Sequence, residues 1–330
     1  MKKIIICFLV LTLLLLVSCG SMGGSSSSTT PVPDAPGFFE GVQVDLDMNM
    51  SYPIVDSMSD GGGKPLKVIL LLGQSNASGC SAGLFLKENI GEQAYSVYES
   101  GFDNVLINYC VDNHHSTSHG EFVKVDMTCG AYGGAFGPEV GMAEVLSRAF
   151  PDEQIVILKY TMSGYTINYH WLLKYERADI YEAFLTFVNT YMDYLIGKNY
   201  DAKIGAICWM QGESDTTEFK ASRYYENQKK LVEYMREDLQ DYAREGGIYF
   251  IDAGISNSPY CEPAYDVVND AKERFSYLSP LNLYFSTIDL GFTIHKEPKD
   301  DPDWGHYDSL SELELGREFG KRIVEIYTQK

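Results

Sequence analysis

A serine, a histidine and an aspartate presented on the right turns can cleave an ester, and this 330-residue chain holds a candidate for each. Ser75 follows the apolar run Val68 to Leu72, which stops on Gly73-Gln74-Ser75-Asn76. A hydroxyl is a poor nucleophile until a base takes its proton during attack. Histidine is the usual base, because its unperturbed pKa lies near neutrality. His114, His115 and His119 fall in a polar stretch, His170 lies beside Trp171, and His295 is in a polar segment. His306 differs from them in having Asp303 three residues ahead, in Asp303-Trp304-Gly305-His306. One turn of backbone lets a carboxylate at that spacing accept from Nδ1, which fixes the tautomer and stabilises the imidazolium. Taken alone the pair is weak, since Asp300, Asp301, Asp303 and Asp308 also read as a solvated acidic loop.

The elements that would present these groups follow from apolar patterning. Val68 to Gly73, Gln154 to Tyr160, Ile204 to Trp209, Ile248 to Asp252 and Asn282 to Ser286 read as buried strands. Asn104 to Cys110 reads as a further strand or an inserted hairpin strand, and residues 111–136 as a long loop. Helical spacing covers residues 137–150, with Pro138 near the start, and then Asp179 to Gly197 and Lys220 to Glu245. Another helix is expected around Val267 to Tyr277, and a last one over Ser311 to Tyr327, opened by a Ser311/Glu314 capping box. Strands alternating with helices predict an α/β fold, a three-layer α/β/α sandwich around a mostly parallel five-stranded sheet. Every strand of such a sheet delivers its following turn to one edge, where ligands bind. Ser75, Gly164 and Gln211 each sit in such a turn.

The N-terminus predicts export. Lys2 and Lys3 precede an apolar run from Ile4 to Val17, too short to span a bilayer comfortably. Leu16-Val17-Ser18-Cys19 resembles the bacterial lipobox, which would make residues 1–18 a lipoprotein signal peptide and Cys19 the lipidated mature terminus. Residues 19–37, rich in Gly, Ser, Thr and Pro, read as a flexible tether, and 38–66 as an irregular lead-in to a domain over 67–330. The expected location is the bacterial periplasm or cell surface, with membrane contact only through the lipid.

Formal charge is −20, and without Lys2 and Lys3 the remaining 24 basic residues face 46 acidic ones. That surface repels nucleic acid and anionic lipid heads and is compatible with a neutral carbohydrate. Of seven cysteines, Cys80, Cys110, Cys129, Cys208 and Cys261 lie within the domain. Cys208, inside an apolar run, reads as a buried thiol, and a bridge among Cys80, Cys110 and Cys129 is compatible with export.

Five ordered blocks, GQSNASG, GPEVGMAEVL, SGYTINYHW, WMQGESD and DWGH, resemble the SGNH hydrolase superfamily and, within it, the sialate O-acetylesterase-like branch that includes acetylxylan esterases. The likeness spans most of residues 67–325 and implies a flavodoxin-like sheet. It implies Ser75 as nucleophile, His306 as general base and then acid, and Asp303 as its orienting partner. The oxyanion hole it implies comprises the Ser75 and Gly164 backbone N–H groups and the Gln211 side-chain amide, with glycine at 164 admitting a close approach. Gln74, Asn76, Tyr165, Trp171 and Glu213 share these turns and are candidates for lining the substrate pocket, Glu213 and Asp215 in supporting roles. The family's Gly-Gly-Thr turn reads Gly164-Tyr165-Thr166 here, which predicts a narrower pocket.

The resemblance implies a carbohydrate O-acetylesterase that needs no cofactor or metal and no protein partner. The histidines around 114 lack a second ligand set for a metal, and the segment 300–308 lacks the glycine spacing of a calcium loop. Two other classes compete. A glycan-binding lipoprotein would have no reason to keep Ser75, Asp303 and His306 together. A lipase or thioesterase of the same fold would want an apolar acyl groove, whereas these loops are polar and rich in tyrosine.

Overall fold

In the computed structural model, residues 46–328 are described, apart from residue 263. The signal peptide, Cys19, the tether and the first residues of the lead-in lie outside them. What remains of the lead-in is irregular, as expected, and straps the outside of a long helix. The Tyr52 hydroxyl donates to the Ala183 carbonyl at 3.0 Å, and Lys198 pairs with Asp56 at 2.8 Å.

Six parallel strands among the described residues form the sheet: β1 (Pro65–Gly73), β2 (Phe102–Val111), β3 (Ile155–Thr161), β4 (Asp201–Met210), β5 (Tyr249–Ala253) and β6 (Asn282–Phe285). Their spatial order is β6-β5-β4-β1-β3-β2. The expected five strands are thus six, because residues 102–111 pair in parallel with β3 rather than forming an inserted hairpin. The presumed loop 111–136 is also partly ordered, since Ser116–Thr117 and Val123–Val125 add antiparallel to β2.

β1 lies between β3 and β4, fully buried over its last six residues, as its run of branched aliphatics requires. The chain first moves from β1 toward β2, then crosses back past β1 to β4, so the connections diverge beside β1. Ligand crevices form at such switch points. Register makes the convergence concrete: Gly73 is opposite both Thr161 and Met210, and Val111 is opposite Thr161. The chain therefore leaves β1, β2, β3 and β4 at one level.

The helices are α1 (Ser75–Ser78), α2 (Gly83–Ile90), α3 (Glu92–Ser100), α4 (Pro138–Ala149), α5 (Asp179–Gly197), α6 (Tyr224–Asp238), α7 (Tyr265–Ser276) and α8 (Ser309–Thr328). α4 and α8 pack on each other as one layer, while α5, α6 and α7 form the other. Pro138 opens α4 at the first helical position, where a missing N–H costs nothing. The long helix expected over 220–245 is divided. Glu218–Ala221 is a separate turn, and beyond α6 Ala243 bridges to Ile204 while the Arg244 N–H donates to the Ile204 carbonyl, so sheet pairing ends the helix. The Ser311/Glu314 capping box does not form: α8 starts at Ser309, whose N–H donates to Glu297, while Ser311 accepts from the Thr293 N–H and Glu314 pairs with Arg317. All five domain cysteines are free thiols, so the bridge among Cys80, Cys110 and Cys129 is absent, and Cys208 is fully buried.

One charge inside this core organises its upper edge. Lys159 on β3 has no exposed side-chain surface, and neither has Glu139 of α4. The ammonium donates to Glu139 Oε2 at 2.7 Å and to the carbonyls of Ser78 and Cys129 at 2.9 Å each, which uses all three of its protons. Burial pushes the Glu139 carboxyl above its ordinary value, against the opposing pull of Lys159. Removing one member of such a pair leaves a buried group without its partner. Lys159→Met is therefore expected to lower the unfolding free energy by about 3–5 kcal/mol, read as an earlier midpoint in urea unfolding.

Candidate active site

Ser75 opens α1 at the carboxyl end of β1 and is nearly buried. Gly73 makes the exit possible. Its φ is +145°, and a Cβ there would fall 1.9 Å from the Met210 carbonyl oxygen. N–H groups at the start of a helical turn, that of Ser75 among them, have no intrahelical acceptor.

Asp303 and His306 reach this edge from the segment ahead of α8. His306 Nδ1 and Asp303 Oδ2 are 2.6 Å apart, with the imidazole about a third exposed and the carboxylate half exposed. Burial opposes charge on His306, but the bond to Asp303 and the Cys80 thiol lying against the same ring outweigh it and raise its pKa. The Asp303 carboxyl is held below its ordinary value, chiefly by the His306 bond.

Asn76 joins the two segments. Its Oδ1 accepts from the Tyr307 N–H at 3.1 Å, and its Nδ2 donates to Glu213 Oε1 at 2.6 Å and to the Gly305 carbonyl at 3.4 Å. The residue after Ser75 thus grips the backbone on both sides of His306. Ser81 adds a second tie, donating to the Tyr307 carbonyl at 2.6 Å. Glu213 is fully buried, and burial raises its carboxyl pKa.

The pocket roles expected for several residues need correction. Gln74 is buried, and its Oε1 accepts from the Gly212 and Ser214 N–H groups, pinning the β4 turn to the β1 turn. Asn76 and Glu213 are likewise buried and bonded to each other, while the second Glu213 oxygen, Oε2, has no partner among the described residues. Trp171 has no exposed surface and packs edge-on against Trp209 at 5.1 Å, which makes it core. Tyr165 is half-buried, and its ring lies flat on His170 with centres 4.5 Å apart. Burial lowers the pKa of that histidine to about 4, which keeps it neutral.

Gln211 also differs from its expected part. It is fully buried, and its Nε2 donates to Asp215 Oδ2 at 2.7 Å and to the Tyr165 carbonyl at 3.1 Å, while Oε1 accepts from the Tyr224 hydroxyl at 3.0 Å. Both amide protons are committed, so the side chain braces the Gly164–Tyr165 turn instead of offering a donor to the pocket. Asp215, fully buried, has its pKa raised to about 6 by burial. Gly164 is exposed with φ +78°, and no protein atom lies within 4 Å of where a Cβ would be, so the turn's left-handed backbone requires the glycine rather than a crowded approach.

Asp112, unremarked in the sequence, holds that turn from the other side. Its Oδ1 accepts from the Ser163 N–H at 2.6 Å and its Oδ2 from the Ser163 hydroxyl at 2.9 Å. The one sequence signal for it is its place directly after β2. No cluster of three or more His, Cys, Asp or Glu side chains suited to a metal occurs among the described residues.

Comparison with known proteins agrees with this architecture. NanS superposes with a TM-score of 0.60 at 14% identity, covering 82% of this chain and 99% of that one. A protein from Arabidopsis thaliana gives 0.58 at 17% identity, covering 79% and 98%. A carbohydrate acetylesterase from Xanthomonas citri gives 0.51 at 15% identity, covering 79% of this chain and 57% of that one. At these identities the likeness establishes the fold. No curated protein matches the sequence. Residues 65–325 match the family described as carbohydrate esterase, sialic acid-specific acetylesterase. The chain belongs to this carbohydrate esterase family and is a serine carboxylic-ester hydrolase of the acetylesterase kind.

Proposed function

We propose that the protein removes acetyl groups from glycans through an acyl-enzyme formed on Ser75. The observation that carries this reading is the Asp303–His306 contact of 2.6 Å, whose segment is tied to Ser75 by its chain neighbour Asn76. Ser75 Oγ attacks the acetyl carbonyl carbon as His306 Nε2 takes its proton. The tetrahedral oxyanion is met by the Ser75 and Gly164 N–H groups, and donors aimed at a developing charge contribute about 2.7–4 kcal/mol each in comparable sites. Collapse expels the sugar hydroxyl with the proton from His306. Water, deprotonated by the same imidazole, then releases acetate and restores Ser75. Asp303 keeps Nδ1 protonated and turned inward throughout.

Ser75→Ala and His306→Ala are each expected to reduce acetate release at least about a thousandfold with the fold retained by circular dichroism. Full activity in either variant sinks the assignment. p-Nitrophenyl acetate should be turned over and p-nitrophenyl palmitate should not. A preference for palmitate favours a lipase, and turnover of neither favours a binding protein.

The base must be neutral to work, so activity rises with pH through the His306 pKa. That pKa is raised, which puts the acidic limb of kcat/KM above the ordinary histidine value. Asp303→Asn removes the stabilising carboxylate, so its limb is expected at lower pH together with a lower plateau. An unmoved limb excludes His306 as the titrating base.

We also propose that the chain is exported and held at a membrane by lipid on Cys19, a reading supported by the sequence of residues 1–37. In a bacterial host fed an alkyne fatty acid, the protein should label and partition with membranes, and Cys19→Ser should do neither. Equal labelling of both overturns the anchor.

A further inference from the structure

The buried residues behind Ser75 are occupied in holding turns together, so a sugar carrying the acetyl group must be gripped by side chains at the mouth. We propose that Trp304 and Tyr132 form that grip, an aromatic platform for the pyranose ring of the ester. The proposal rests on the reading of Ser75, His306 and Asp303 given above and adds the side chains that hold the sugar.

Exposure of an aromatic ring is ordinary by itself, and Tyr277, which caps α7 and bonds Glu273 through its hydroxyl, is an example. Place and bracing single out the other two. Trp304 is 47% exposed and lies within the Asp303–His306 turn, where Asn76 holds the next carbonyl, that of Gly305. His295 stacks on its indole with ring centres 6.1 Å apart and planes 18° from parallel. Tyr132 is 50% exposed. Its hydroxyl donates to the Cys80 carbonyl at 2.6 Å, and the neighbouring Ala131 N–H donates to the Gly79 carbonyl at 2.9 Å. Burial is the main cause that raises the pKa of this phenol, and the Asp303 carboxylate adds to it.

Both rings are therefore held in place while presenting apolar surface to water, an arrangement that lowers the ordering cost of binding. A pyranose exposes one or two faces of C–H groups that pack on flat aromatic surface, while its hydroxyls stay solvated at the rim. A small acetyl ester lacks that ring and gains little from the platform. The rings thus favour acetylated sugars over simple acetates, through binding and not through the chemical step.

The test compares acetylated xylo-oligosaccharide with p-nitrophenyl acetate on Trp304→Ala and Tyr132→Leu. Each variant is expected to raise KM for the sugar ester roughly five- to tenfold with kcat little altered, a rise at least several times larger than that for p-nitrophenyl acetate. Trp304→Phe and Tyr132→Phe, which keep a ring, should recover most of the loss. Calorimetric titration of the oligosaccharide into Ser75→Ala protein, with and without Trp304→Ala, reads the platform without catalysis. Equal losses on both esters, no rise in KM, or unchanged affinity in the titration overturns the platform. If the unaltered enzyme cleaves neither ester while the titration still depends on Trp304, the Ser75 reading fails and the platform stands.

Discussion

A single ammonium group set inside the protein constrains everything above it. Lys159 cannot be left with an unpaired proton at zero exposure, since a buried donor without an acceptor costs about 1–3 kcal/mol and a charged one more. Its three acceptors come from separate parts of the chain: the Ser75–Ser78 turn, the 129 segment, and the first turn of α4. Meeting that requirement fixes where each may lie relative to β3. The Ser75 turn is thereby set from beneath by a charge and from the side by its register with β3 and β4. Buried ion pairs are poor sources of net stability compared with apolar packing. Here the pair earns its place by geometry, because no aliphatic side chain dictates the direction of three carbonyl or carboxylate oxygens.

A polar web then carries that order outward. Gln74, Asn76, Gln211, Glu213 and Asp215 are all buried, and each bonds a neighbouring residue or turn, with one oxygen of Glu213 and one of Asp215 left without a partner among the described residues. Asp112 does the same for Ser163. The residues that look most chemical in the motifs thus form the frame, and few side chains remain for contact with the substrate. This division suits ester hydrolysis, in which a small displacement of the base or of a backbone donor costs rate.

Much of the fold is legible because short runs of branched aliphatic residues have few uses other than buried strands. Ile155–Thr161 and Asp201–Met210 follow from such runs, and α5 from its apolar stripe. α2 and α3 are not legible in this way: α2 buries only Gly83 and Leu86, and α3 only Tyr95 and Tyr98, too little for a periodic signal. At the site, Asp303 and His306 are legible because three residues of separation fix their contact locally. Side-chain commitments across turns are not local. The difference between Gln211 as a donor to the pocket and Gln211 as a brace depends on Asp215, Tyr165 and Tyr224, and no spacing rule encodes that choice. Trp171 shows the same limit, for a motif tryptophan can serve the core as readily as a ligand. Lys159 carried a readable signal, being one cation within the apolar QIVILKY.

The Asn76 clasp joins positions 229 and 231 residues apart, so it couples the site to the order in which the protein is made. Synthesis delivers Ser75 early and His306 near the end, and contacts of such separation close late because long loops must be ordered first. Until residues 303–306 have been made, the growing polypeptide holds the Ser75 hydroxyl without the histidine that the proposed mechanism gives it as base. Under the proposed mechanism, ester cleavage therefore waits on the closing segment of the chain, and a product cut short before residue 303 lacks both the base and its aspartate.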